Sequence, residues 1–384
     1  MKYINYGRQW IDASDKKAVL DVLSSDLIAQ GPKVEKFEKE LCKLTGAKYC
    51  VVVSNGTAAL HLATLALDIK KGSEGITSPI TFVASANCML YADIKPVFAD
   101  INAETYNIDP EEISKKINEK TKLIIPVHFA GQPCDIKKIS QIAKKNDLYL
   151  IEDAAHAIGS KYPDGSNVGN CKYSDLTTFS FHPVKTITTG EGGAITTNNK
   201  GLYQKLLLLR SHGITKVPKE FSQNPGPWYY EMQELGFNYR LTDIQAALGI
   251  SQLKKLNKFI IKRRKIVKKY NQALSLTPNV IIPFEKLENY SAFHLYVLQI
   301  DFEKIGKSRK EVMEKLAKLG IGTQVHYIPV HLQPYYRKNF DYKKGDLPVA
   351  EKYYEKCLSL PLYPKMTEAD VNYVVQNVKE ILKS

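Results

Sequence analysis

The stretch SFHPVKTITTGEGG, residues 180–193, sets Lys185 among the hydroxyl residues Thr186, Thr188 and Thr189, with Gly190, Gly192 and Gly193 close behind. A lysine amine drawn out of water becomes a nucleophile that can form a Schiff base with an aldehyde. Glycine tolerates positive φ and adds no bulk, so such a connection can fold tightly over a ligand. Ser180, five residues before the lysine, offers a hydroxyl for a phosphate. The ordinary alternative is a solvated surface lysine. The run GEGG is not G-x-G-x-x-G and does not open a helix, so it makes a poor dinucleotide fingerprint.

Two further clusters could carry chemistry. Val51-Val52-Val53-Ser54-Asn55-Gly56-Thr57-Ala58 reads as a strand end, a tight Asn-Gly turn and a helix start. A helix N-terminus offers free N–H groups and the positive end of its dipole, which suits phosphate. Gly56 lets the backbone approach closely, and Thr57 adds a hydroxyl donor. The same residues also fit a plain strand–helix turn capped by Ser or Thr. In LYLIEDAAHAIGS, residues 148–160, an apolar strand runs into Glu152-Asp153. That places a carboxylate near a strand's carboxyl end, where ligands of open α/β sheets sit. A buried acid needs a cationic partner, and a protonated pyridine nitrogen meets that need. Asp153 reads equally as a helix cap or a surface acid, and His156 as a satisfied core histidine.

A phosphate-type turn, a strand-end acid and a loop lysine occur here together and in order. They are the three anchors that pyridoxal 5′-phosphate requires: a grip on the phosphate, an acid for the ring nitrogen and an amine for the aldehyde.

The elements that must position these groups alternate. Tyr49–Val53 reads as a buried strand and Thr57–Leu67 as a helix. Pro96–Phe98, Leu123–Val127, Leu148–Ile151, Thr177–Phe181 and Ala194–Thr197 read as strands, with a helix over Ile136–Lys145. Such alternation predicts an α/β fold, a mostly parallel sheet with helices on both faces. Residues 1–250 form this large domain on the sequence reading. Residues 251–384 read as a smaller α+β C-terminal domain. It holds an amphipathic helix over Leu253–Leu274, a strand over His294–Ile300, and a helix opened by a Ser308/Glu311 capping box. A further strand is expected over Gly322–Tyr327.

Composition narrows the function classes. With 44% hydrophobic and 24% charged residues the chain reads as an ordinary folded protein. Its apolar runs are too short to span a bilayer, and the start MKYINYGRQW lacks a signal-type core, so a cytoplasmic protein is expected. The six cysteines are scattered without a C-x-x-C pair, and no histidine spacing suggests a metal site. Much of the formal charge of +14 comes from lysines spread along the chain, but one stretch, 253–274, is more concentrated and holds nine basic residues and no acidic one. This helix could bind acidic polymers, but a solvated cationic face explains it, and no nucleic-acid motif stands beside it.

The chain resembles the pyridoxal-phosphate-dependent sugar aminotransferases of the DegT/DnrJ/EryC1/StrS group, which have the aspartate-aminotransferase-type, fold type I architecture. The resemblance rests on SNGTAAL (54–60), SPITFVASAN (78–87), VHFAGQPCD (127–135), IEDAAHAIGS (151–160), SFHPVKTITTGEGGAI (180–195), RSHG (210–213), LGFNYRLTDIQAALG (235–249) and GTQVHYIPVH (322–331). It implies that Lys185 binds the cofactor covalently and shuttles protons, and that Asp153 pairs with the pyridine nitrogen. It places Phe82 and His156 near the ring, and Gly56, Thr57 and Ser180 on the phosphate. Asn238 is expected to reach the cofactor phosphate of a neighbouring subunit, which implies a homodimer with shared active sites. Within the group the chain resembles the C4 aminotransferase of pseudaminic acid synthesis. That similarity implies a UDP-linked 4-keto-6-deoxy sugar and L-glutamate as substrates, with pyridoxamine 5′-phosphate formed between half-reactions. Tyr6, Ala29, Asn55, Thr323 and His326 are then expected to touch the nucleotide sugar, the last two on a strand. Another UDP- or dTDP-keto sugar stays open as the substrate, as does a sugar dehydratase reaction, although dehydratases of the group carry histidine at the lysine position.

Overall fold

Short buried strands joined by helices can satisfy their backbone groups only by pairing in one sheet covered on both faces. The computed structural model, which describes residues 3–383, shows this arrangement. Helices α1 (Ala13–Leu23) and α2 (Pro32–Thr45) precede β1 (Tyr49–Val53) and α3 (Gly56–Leu65). There follow β2 (Glu74–Thr77), α4 (Ala84–Tyr91), β3 (Lys95–Phe98), α5 (Pro110–Lys116), β4 (Thr121–Ile125), α6 (Ile136–Lys145), β5 (Tyr149–Asp153), β6 (Leu176–Ser180), β7 (Gly193–Thr197) and α7 (Lys200–Arg210). The seven strands form one sheet in the order β1-β7-β6-β5-β4-β2-β3. Only β7 runs antiparallel to its neighbours. This is the mostly parallel α/β fold that the alternation predicts. The side chains of β1 split between two cores, Cys50 and Val52 on one face, Val51 and Val53 on the other, as the two-residue period requires.

The chain continues through a short hairpin, β8 (Ile214–Thr215) and β9 (Glu231–Met232), to α8 (Asp243–Leu253) and α9 (Leu256–Leu274). Then come β10 (Val280–Ile281), β11 (Tyr296–Ile300), α10 (Arg309–Lys318), α11 (Pro334–Phe340), α12 (Pro348–Lys356), β12 (Cys357–Leu360) and α13 (Glu368–Lys383). Strands β10, β11 and β12 make a small antiparallel sheet. Helix α9 serves two cores: Leu256, Phe259 and Ile260 pack with the large sheet, while Ile266, Tyr270 and Leu274 pack with β11 and β12. Ile4, at the other end of the chain, joins the second core. The Ser308/Glu311 capping box forms at the start of α10.

Three expectations need correction. The helix expected over Leu253–Leu274 is broken at Lys254-Lys255. Tertiary bonds fix that break: Gln252 Nε2 reaches Trp10 O at 3.0 Å, and Lys255 pairs with Asp12 and Asp15. Its basic residues do not all face outward either, since Arg263 is buried and donates to the carbonyls of Phe293, His294 and Leu362. Finally, residues 322–327 form no strand. This segment meets β12 at a single bridge, Gln324 to Ser359, and then turns inward. The short strands β2 and β12 escape the sequence reading because EGIT and CLSL hold no continuous apolar run.

Candidate active site

Strand direction brings the three sequence clusters together. Because β7 pairs antiparallel with both β1 and β6, and β6 lies parallel to β5, strands β1, β5 and β6 all end at the same edge. The Asn55-Gly56 turn follows β1, Asp153 closes β5, and Ser180 closes β6. The connection carrying Lys185 leaves β6 and re-enters β7 at this edge. Here the residues enclose a cavity of about 850 Å³.

At one end lies the N-terminus of α3. Asn55 Oδ1 accepts from Ala58 N–H at 2.8 Å, and Asn55 O accepts from Ala59 N–H at 3.1 Å. The N–H groups of Gly56 and Thr57 belong to the first turn, which no intrahelical carbonyl can reach. Ser180 closes over this turn so tightly that a Cβ on Gly56 would lie 2.8 Å from Ser180 Cβ. Glycine at Gly193 is required for a related reason, since a Cβ there would collide with the Asn55 carbonyl.

Asp153 is 4% exposed, and both its oxygens end on uncharged donors. Ser85 Oγ donates to Oδ2 at 2.6 Å, and Ala155 N–H donates to Oδ1 at 3.0 Å. Phe82, on the segment leading into α4, lines the same cavity yet is 59% exposed. An aromatic face left open beside a buried carboxylate suits a flat cationic ring.

The Lys185 loop is held by its own hydroxyls. Thr188 Oγ1 and Thr189 N–H both donate to Phe181 O, at 2.9 and 3.0 Å. Thr189 Oγ1 donates to Glu191 O at 2.6 Å, and Gly190 takes φ +84°. Two of the three threonines noted in the sequence, Thr188 and Thr189, therefore shape the loop, while Thr186 Oγ1 is buried without a partner among the described residues. Burial pushes the Lys185 amine down to about 8, with the charge of Asp153 pulling the other way.

Three imidazoles face this amine. His156 donates to or accepts from Tyr327 OH at 3.1 Å through Nε2, while its buried Nδ1 has no partner among the described residues. His294 packs 4.4 Å from the His156 ring, centroid to centroid. His326 Nδ1 bonds Ser359 Oγ at 2.8 Å, and its ring lies 5.5 Å from that of Tyr6. Burial, with the charge of Lys185 adding to it, pushes His156 and His294 well below the usual imidazole range and His326 down to about 3. All three are neutral at pH 7 and cannot compete for the Asp153 charge.

Of the residues expected from the sequence, Tyr6, Asn55, Gly56, Thr57 and Phe82 line the cavity, as do Asp153, His156, Ser180, Lys185 and His326. Ala29 and Thr323 do not: Ala29 is exposed and bridges Thr242, and Thr323 precedes the point where its segment turns inward. Asn238 is exposed and bridges Ser211, outside the cavity of its own chain. Sequence reasoning missed Ser85, Tyr327 and His294. Ser85 stands three residues after Phe82, a spacing that places two side chains on one face of a helix start. His294 had no local signal, because distant partners place it: its N–H donates to Ala130 O at 2.8 Å and its ring packs on His156.

The donor set suits a ligand with an anionic end at α3, a flat cationic ring between Phe82 and Asp153, and an aldehyde at Lys185. Comparison with known proteins agrees with that chemistry. A family model described as the DegT/DnrJ/EryC1/StrS aminotransferase family matches residues 9–379. The spore coat polysaccharide biosynthesis protein SpsC of Bacillus subtilis is 42% identical over 382 residues, 99% of this chain and 97% of SpsC. Helicobacter pylori PseC, an aminotransferase involved in the biosynthesis of pseudoaminic acid, matches with a TM-score of 0.93 at 34% identity, over 100% of both chains. Spr1654 from Streptococcus pneumoniae in its PLP-form matches with a TM-score of 0.90 at 30% identity, over 99% of each chain. Its PMP-form gives 0.91 at 31%, over the same shares.

Proposed function

The chain belongs to the DegT/DnrJ/EryC1/StrS aminotransferase family, and from that premise we propose that it moves an amino group from L-glutamate to C4 of a nucleotide-linked 4-keto-6-deoxy sugar. The sugar we assign is of the UDP-4-keto-6-deoxy-L-AltNAc type, which the likeness to PseC supports. One observation carries the reading: a lysine amine pushed down to about 8 by burial shares a cavity with a buried carboxylate that, among the described residues, forms no salt bridge.

Pyridoxal 5′-phosphate, the cofactor of this enzyme, supplies an electron sink for a carbanion and stores the amino group as pyridoxamine 5′-phosphate between half-reactions. Gly56 and Thr57 N–H, with Ser180 Oγ, hold its phosphate. Asp153 holds the ring nitrogen protonated, and Ser85 and Ala155 keep that carboxylate aimed. Phe82 covers one face of the ring. His156, neutral and with a free Nδ1, adds a hydrogen bond without adding charge. Lys185 Nζ supplies the covalent amine. Its free amine would be the base that takes up the α-proton of glutamate and gives a proton back. A pKa near 8 suits both directions of that transfer. Tyr6 and His326 face the sugar. The Asn55 side chain spends its oxygen on capping α3, so only its NH₂ is free to donate to substrate. Asn238 turns away from its own cavity, which supports its serving the site of a partner copy in a homodimer.

Borohydride reduction of the cofactor-loaded protein, followed by peptide mapping, is expected to leave the pyridoxyl tag on Lys185. Mass spectrometry of products from glutamate and a panel of UDP- and dTDP-4-keto sugars then assigns the substrate. A tag on another lysine removes the site assignment, and turnover confined to dTDP-sugars removes the UDP-sugar assignment.

A further inference from the structure

Tyr327 lines the cavity and has no part in the chemistry above. The segment before it is held by β12 and α12. Gln324 bridges Ser359, His326 Nδ1 bonds Ser359 Oγ at 2.8 Å, and His326 O accepts from Tyr353 OH at 2.6 Å. The Tyr327 ring then packs edge-on against Phe129, with centroids 6.4 Å apart, and lies within 16° of parallel to the His156 ring, 6.1 Å away. Its hydroxyl meets one partner among the described residues, His156 Nε2 at 3.1 Å.

The protons of this pair can be arranged in three ways. An imidazolium would donate from both nitrogens, but burial and the charge of Lys185 push His156 well below its ordinary value, so the ring is neutral. Burial, with the charges of Asp153 and Tyr6 adding to it, pushes the Tyr327 phenol up, so it keeps its proton. If the neutral imidazole donates from Nε2, the phenol proton and the lone pair of the buried Nδ1 are both left without a protein partner. If the phenol donates, Nε2 accepts and the ring proton sits on Nδ1, so that one group is left over instead of two. Each buried polar group left unpaired costs free energy. Imidazole nitrogen is also far more basic than a phenol oxygen, and is the better acceptor. Both arguments favour donation by Tyr327. Lys185, His294 and His326 are the other titratable groups facing the His156 ring, and none of them bonds either of its nitrogens.

We propose that Tyr327 is a positioning residue that acts through His156: its hydroxyl donates to Nε2 and holds the imidazole proton on Nδ1, so that His156 meets the ligand of the cavity as a neutral hydrogen-bond donor. Asp153 meets the same ligand as an acceptor. The two side chains therefore ask for opposite partners, a proton at one position of the ligand and an acceptor atom at another. The part concerning the ligand rests on the reading of the cavity given above; the part concerning the proton on His156 does not.

Tyr327→Phe keeps the ring and removes the donor. In full-length protein freed of cofactor, ¹⁵N-histidine NMR of the wild type is expected to show a neutral His156 with its proton on Nδ1, its signal identified by its loss in His156→Gln. In Tyr327→Phe the proton should spread over both nitrogens. Affinity for pyridoxal 5′-phosphate, read by absorbance titration, should then fall by about two- to fivefold, because only the fraction with the proton on Nδ1 is ready to bind. A purely structural role for Tyr327 would lower the melting temperature and leave the tautomer in place. A wild-type His156 with its proton on Nε2, or a tautomer that Tyr327→Phe does not change, overturns the proposal. A redistributed proton with unchanged affinity overturns the donor role toward the ligand. Wild-type protein that fails to take cofactor on Lys185 overturns the cavity reading instead and leaves the tautomer result standing. Should Tyr327→Phe not fold, the wild-type tautomer decides alone.

Discussion

Ser85 Oγ donates a 2.6 Å hydrogen bond to Asp153 Oδ2, tying the first turn of α4 to the carboxyl end of β5. The serine hydroxyl is also bonded to Thr81 Oγ1 at 2.7 Å, so it is held from both sides. Removing it by Ser85→Ala leaves a buried carboxylate oxygen without its donor. Urea unfolding of the cofactor-free protein should show a loss of about 1–3 kcal/mol. An unchanged denaturation midpoint would mean that water serves Asp153 equally well.

Gly56 and Ser180 are in contact across the anion end of the cavity. Gly56→Ala brings a Cβ against Ser180 Cβ and should weaken cofactor binding by about tenfold or more, as overpacking of a tight site does. Adding Ser180→Gly relieves the collision but removes a hydroxyl donor. The double variant should recover thermal stability and not affinity, as read by absorbance titration. Full recovery of affinity would take Ser180 off the phosphate.

The Lys185 amine titrates at about 8 in the folded chain against an ordinary value of 10.5. Between these values the unfolded chain binds more protons, so folding gains stability as pH rises through that window. Lys185→Met lacks this dependence. The variant should exceed the cofactor-free wild type in urea resistance near neutrality, and the gap should close as pH rises toward 10.5. A gap that stays constant with pH would show an amine that is not depressed.

Asn238 is exposed and sits outside its own cavity. If it serves a partner copy, Lys185→Ala and Asn238→Ala proteins complement each other. Random mixing after dissociation puts one intact site in half of the dimers, which restores about a quarter of wild-type turnover. Mixed protein as inactive as its parents would confine Asn238 to its own chain.

Six of the seven strands of the large sheet, all but β2, were legible because each is a local object. YCVVV, LIIPV and LYLI are apolar runs whose β-branched residues favour strand, and the helices between them repeat every three to four residues. Boundaries moved by a residue or two where a ladder ended early, as at Ile125. The α9 break and the inward turn after Gln324 were not legible. Both depend on partners far away in the chain, Trp10 and Asp15 in one case and Ser359 in the other. Local propensity at Lys254-Lys255 favours helix, and only those distant bonds override it.

The sequence by itself determined the chemical inventory: an amine in a hydroxyl-and-glycine loop, an acid closing a strand and a glycine turn opening a helix. Each is a matter of residue type and short spacing, which the chain states directly. Tertiary structure alone decided what those groups are at pH 7. The antiparallel entry of β7 puts three distant segments at one sheet edge, and the later chain brings His294, His326 and Tyr327 into the same cavity lining. Burial among these neighbours lowers the amine and neutralises the imidazoles. Desolvation depends on everything packed around a group, and no stretch of sequence near Lys185 records that.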